Sequence, residues 1–190
     1  MGQTLVLAGQ TITPSVLNRI YGTADSIPHT VNNTSYAQVS SIYTIPASDP
    51  NSGTAYRIFT FGNGVWGTAE ALQLSVGFAD LEVGTAPTIA GAALASAALF
   101  DFEIWAKAIC VTSGTSGTWI TTFHGILTQS ANAINPGTAA DNSVSFSGCT
   151  HTAITQNTTV PNDFGIYAKW AGTTGTPELI AIGTIFEKVN

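Results

Sequence analysis

The chain has 190 residues and a mass of 19.6 kDa, which suits one domain with a single substantial core. Only 8% of its residues are Asp, Glu, Lys or Arg and 44% are hydrophobic, which excludes a disordered chain and a charge-laced coiled coil. A net charge of -6 with five Lys plus Arg leaves no basic stripe for a phosphate backbone, so nucleic acid is not an expected partner. What remains is a Thr/Gly-rich all-β protein with a neutral, polar surface.

The first two dozen residues differ from the rest. Residues 4–8 read as a short strand carrying Leu5 and Leu7, broken by Gly9-Gln10. Thr13 as N-cap, Pro14 at the first helical position and Gly22 as terminator then predict a helix. Val16, Leu17, Ile20 and Tyr21 fall on one face of it. So short a helix is unstable alone, and residues 1–24 are expected to anchor a domain spanning 25–190. The start lacks the basic flank of a signal peptide, and the apolar run at 89–100 is too short to cross a bilayer, so cytoplasmic synthesis without membrane insertion is expected.

From about residue 35 the period changes to two. Residues 36–45 read as one strand, and 56–61 as a second that ends in a Gly62-Asn63-Gly64 turn. Leu72, Leu74, Val76 and Phe78 alternate on the buried side of a third. The Ala-rich stretch 85–97 fits either helix or loop. In 102–110, Phe102, Ile104, Ala106, Ala108 and Cys110 face one side, while Asp101, Glu103, Trp105 and Lys107 face the other. The turn chemistry of 113–117 joins this strand to 119–128 as a long hairpin. Further strands are expected at 142–148, 164–170 and 179–189. In the last, both faces are apolar or small, which predicts an oligomer interface through Ile180, Ile182 and Phe186. Eight or nine strands with long connections at 129–142 and 150–163 suggest a jelly-roll sandwich.

No catalytic constellation stands out. His29, His124 and His151 are far apart in sequence, and His124 reads as a sheet histidine rather than a base. Asp101 and Glu103 share a strand face at the spacing of a glycosidase pair, about 7 Å by strand rise, but read more simply as a solvated face with Lys107. Cys149 and His151 lack the second pair a zinc site needs, and Asp49-Pro50-Asn51 lacks the distal glutamate of a calcium loop. Neither cofactor nor metal is expected. Cys110 and Cys149 read as buried small hydrophobes, a disulfide between them being the lesser alternative. Trp66, Trp105, Trp119 and Trp170 sit among Asn, Thr and Gly. They read either as core and interface residues or as rings stacking on a glycan.

The opening Ala8-Gly9-Gln10-Thr11-Ile12-Thr13-Pro14-Ser15-Val16-Leu17-Asn18 resembles the A-G-(Q/E/D)-x-(hydrophobic)-T-(A/P)-x-x-L-N start of phage fibre and minor structural proteins. Tyr56-Arg57-Ile58, Gly64-Val65-Trp66-Gly67 and Gly117-Thr118-Trp119 resemble Thr/Gly-rich jelly-roll modules from phages of actinobacterial hosts. The close of the chain, Thr184 to Asn190, is similar to that of tumour-necrosis-factor-like trimers, which stop just after the last strand. The resemblance implies a non-enzymatic virion protein, made in the host cytoplasm and displayed on a tailed-phage particle. Its implied form is a homotrimer decorating the capsid, with the N-terminal segment held by a major capsid or tail protein. The alternatives are a minor tail or receptor-binding protein that takes a host-surface glycan, and a stand-alone carbohydrate-binding module.

Overall fold

The computed structural model describes residues 23–25, 29–40, 42–68, 70–78, 88–89, 94, 98–129, 143–149 and 153–189. Every regular element among them is a strand. In chain order these are β1 (Thr23–Asp25), β2 (His29–Val31), β3 (Ala37–Gln38), β4 (Tyr43–Ile45), β5 (Ala55–Val65), β6 (Leu72–Phe78) and β7 (Thr88–Ile89). They continue with β8 (Leu99–Thr112), β9 (Thr118–Gln129), β10 (Ser143–Cys149), β11 (Ile154–Thr155), β12 (Asn162–Trp170) and β13 (Glu178–Val189). The expected strand with Leu5 and Leu7 and the expected helix with Val16, Leu17, Ile20 and Tyr21 lie outside the described residues. So does most of 85–97.

Two antiparallel sheets result. The larger runs β1-β13-β5-β8-β9-β10, with β2 also on β13 and β11 also on β9. The smaller runs β3-β12-β6-β7, with β4 also on β12. Their inner faces meet in one core, as in a β-sandwich. Aromatic rings join the sheets: Phe78 meets Trp119 edge-on at 5.0 Å, Trp66 meets Trp170 at 5.2 Å, and Tyr43 stacks on Phe186 at 5.3 Å. The Thr121 hydroxyl adds a long polar contact, 3.5 Å, to the Val76 carbonyl across the same gap.

Strict alternation builds the longest strand. In β8, Phe100, Phe102, Ile104, Ala106, Ala108 and Cys110 are buried, and Asp101, Glu103, Trp105 and Lys107 turn outward. The hairpin to β9 forms as expected. Gly114 takes a left-handed φ of 117° that L side chains rarely adopt, and its carbonyl accepts from the Gly117 N–H at 3.1 Å. The turn is pinned from outside by Thr158, whose hydroxyl accepts from the Gly114 N–H at 2.7 Å and whose own N–H donates to the Gly114 carbonyl at 3.0 Å.

Three expectations about strands need correction. Gly62-Asn63-Gly64 is not a turn: β5 runs straight through it, paired with β13 on one side and β8 on the other. A side chain at Gly62 would strike the Ile180 carbonyl, and one at Gly64 the Glu178 carbonyl, so these glycines serve close approach of neighbouring backbone rather than chain reversal. Residues 36–45 are not one strand either. β3 and β4 flank an interruption where the Ser40 hydroxyl accepts from the Ile166 N–H at 3.2 Å, while Ile166 O accepts from Val39 N–H at 2.8 Å. In β13 the register with β5 shifts between Ala181 and Gly183. That irregularity exchanges the faces: Leu179 and Ala181, then Thr184 and Phe186, point inward, whereas Ile182 and Ile185 are exposed. The first described strand of this sheet, β1, pairs Thr23 and Ala24 of residues 1–24 with β13.

Candidate functional site

On the outer face of the larger sheet the pairing registers order the outward side chains into rows across the strands. One row reads Ile185, Phe59, Trp105, His124, Ser147 from β13 to β10. The next row toward one end reads Glu187, Arg57, Lys107, Thr122, Cys149. Toward the other end it reads Gly183, Phe61, Glu103, Ile126, Ser145, and then Asn63 beside Asp101.

The aromatic row is closed upon itself. Trp105 lies 4.9 Å from Phe59, tilted by 31°, and 5.1 Å from His124, within 7° of parallel. Phe59 also meets Phe61 at 5.7 Å. Trp105 therefore has a ring neighbour on the strand to either side of it, and is itself half-buried. Around the row is a shallow depression of about 530 Å³ lined by Arg57, Phe59, Trp105, Lys107, His124 and Glu187, among others. Arg57 and Glu187 pair across its rim at 3.5 Å, each about half exposed, which makes this a weak surface ion pair. Phe61, Ile182 and Ile185, at 39%, 43% and 43% exposure, extend the apolar band toward β13.

The other tryptophans go elsewhere. Trp66, Trp119 and Trp170 are completely buried, and the Trp170 indole N–H donates to the Val31 carbonyl at 3.1 Å. They are core residues, because each faces the opposite sheet. Of the four expected glycan contacts only Trp105 reaches the surface, where the rings of Phe59 and His124 flank it. Of the expected interface residues, Phe186 is a core residue stacked on Tyr43, Ile180 is half-buried, and Ile182 is exposed. The two cysteines are not joined: Cys110 is buried, but Cys149 is exposed at the end of the edge strand, against the expectation that both are buried.

Asp101 and Glu103 stand exposed on β8 next to the aromatic row, with Lys107 further along the same face. His124 is held by the Trp105 stack, and His151 lies outside the described residues. Asp49 closes a turn, its N–H donating to the Pro46 carbonyl at 3.2 Å. Its carboxylate accepts from the Tyr56 hydroxyl at 2.8 Å and from Lys188 Nζ at 2.8 Å. Burial first, then the Asp49 hydrogen bond and charge, pushes the Tyr56 phenol far above its ordinary range. Nothing local in the sequence marks this cluster, since its members come from a turn, β5 and the end of β13. Among the described residues no three of His, Cys, Asp and Glu gather as a metal site, and no helix is long and apolar enough to cross a membrane.

Compared with known proteins, the chain matches no family model, no curated protein and no solved structure. The class that the described residues define is an all-β, two-sheet protein with a partly exposed aromatic band on its larger sheet.

Proposed function

We propose that the chain is a non-enzymatic structural protein of a phage particle: a jelly-roll that decorates the capsid as a homotrimer, held by its N-terminal segment. The observation that carries this reading is the strand order. In one sheet β1 lies beside β13, β5 and β8; in the other β3 and β4 lie beside β12, then β6 and β7. The first described strand thus neighbours the last, and the chain crosses between the sheets at β2–β3, β4–β5, β5–β6, β7–β8, β11–β12 and β12–β13, a path that suits two nested Greek keys. On this reading β9, β10 and β11 are an insertion that widens the first sheet. Jelly-rolls recur as virion shell domains, and the phage-like opening of the chain favours that setting over a lectin. Exposed Phe61, Ile182 and Ile185 favour self-association. The rings of Phe59 and His124 beside Trp105 compete with a sugar for its indole, which weighs against a glycan as the first partner.

The test has two parts. Light scattering behind size-exclusion chromatography is expected to give three times the 19.6 kDa protomer, or six times where two trimers pair, for the full chain and for a chain lacking residues 1–22. Mass spectrometry of purified particles is expected to find the chain, and adding the full protein to particles stripped of it should restore binding where the shortened protein does not. A monomer in both forms, or absence from particles, would overturn the proposal.

A further inference from the structure

We infer that the outer face of the larger sheet is a self-complementary contact, taken by the same face of a second copy with β8 crossing its counterpart antiparallel. The inference deepens the reading of the chain as self-associating, and stands on the charge pattern of this face rather than on copy number.

Along β8 the outward residues are Asp101, Glu103, Trp105 and Lys107. Glu103 and Lys107 lie two residues either side of Trp105, about 7 Å each way by strand rise. Two such faces can be related by a two-fold axis lying in the interface along the row Ile185, Phe59, Trp105, His124. Each row on one side of the axis then meets the partner's row from the other side. Glu103 of each copy faces Lys107 of the other, and Phe61 faces Arg57, a cation over an aromatic ring. On the axis, Trp105 meets Trp105. An axis along the strands would instead set Glu103 against Glu103 and Lys107 against Lys107, which like-charge repulsion opposes. Isologous contacts carry this pattern, in which residue i meets j and j meets i.

The rings fit the same role. Phe59, Trp105 and His124 form a continuous layer of rings across β5, β8 and β9. Such a layer interdigitates with an identical one at the spacing of packed sheets, about 10 Å. Charged residues stand at both ends of this apolar band, as in an interface core with a polar rim.

Charge reversal tests the inference on the full chain. Glu103→Lys, Lys107→Glu and the double variant are compared with the unmodified protein by light scattering at micromolar concentration, with circular dichroism and melting to check folding. Both sites are on the surface, and Lys107→Glu leaves a carboxylate beside Arg57, so the fold is expected to hold. The unmodified protein should contain an even number of copies. Each single variant should weaken the association at least about tenfold, and the double variant should restore it, because partner charges are exchanged together. Hexamers falling to trimers would support this contact and the trimer alike. Dimers falling to monomers would support this contact and sink the trimer. A trimer indifferent to all three variants would overturn this contact and leave the trimer standing. A monomer would overturn both, and a monomer whose band binds a hydrophobic dye only after removal of residues 1–22 would assign the face to the chain's own N-terminal segment.

Discussion

Trp105 and His124 lie ring on ring across β8 and β9, their centroids 5.1 Å apart and their planes within 7° of parallel. The pair is a direct cross-strand neighbour in the register, so its energy belongs to the sheet as well as to the surface. In a double-mutant cycle with Trp105→Ala and His124→Ala, urea unfolding is expected to show a coupling of about 0.2–1 kcal/mol. A coupling of zero would mean that the stack is geometry without stabilisation.

The Asp49, Tyr56 and Lys188 cluster clips the end of β13 to the turn before β5. Asp49→Ala leaves the Tyr56 hydroxyl and the Lys188 ammonium without their acceptor, and is expected to cost about 1–3 kcal/mol by chemical denaturation. A loss below a few tenths would show that the clip frays in solution.

The same cluster sets an alkaline limit. The folded protein keeps the Tyr56 proton to higher pH than the unfolded chain does, where the phenol titrates near its ordinary 10.0. The stabilisation is complete below about pH 10 and is lost as pH rises from there toward the folded value, because ionisation then favours the unfolded state. Above pH 10, stability should therefore fall more steeply with pH in the native protein than in Tyr56→Phe. Equal slopes would refute the assignment.

Gly62 is a backbone contact site. Gly62→Ala drives a methyl group into the Ile180 carbonyl of β13, so a loss at the upper end of about 1–3 kcal/mol is expected in thermal or urea unfolding. A loss below a few tenths of a kcal/mol would refute the close approach.

Thr158 holds the β8–β9 turn from a distance. Thr158→Val keeps the shape but leaves the Gly114 N–H without the hydroxyl it donates to, and is expected to cost about 1–3 kcal/mol. Hydrogen exchange should rise first at residues 113–118; unchanged exchange there would show that the turn does not depend on this tie.

Much of this architecture is legible in the residues because β6, β8 and β9 alternate cleanly and one turn has its own chemistry. The outward position of Trp105 follows from the same period. The rest depends on long-range information. Glycine looks alike whether it reverses a chain or admits a neighbouring carbonyl, which is why Gly62 and Gly64 read as a turn. A single irregularity in β13 moves Phe186 inward and Ile185 outward, and no local pattern announces it. Trp66, Trp119 and Trp170 stand at strand ends, where alternation is too short to say which way a ring points. Strands of two or three residues, such as β3 and β7, are below the length at which a period exists.

The central place of β13 has a consequence for how the molecule is made. Its strand neighbours β1, β2 and β5 all precede it in the chain, and β5 must wait for it with one edge open. During synthesis, β5 and β8 can pair while the row of backbone groups that β13 will cover still faces water. That open edge is where a second nascent chain could pair by mistake. Folding is therefore committed only once residues 178–189 leave the ribosome, and truncation before β13 should yield aggregate rather than a smaller stable domain.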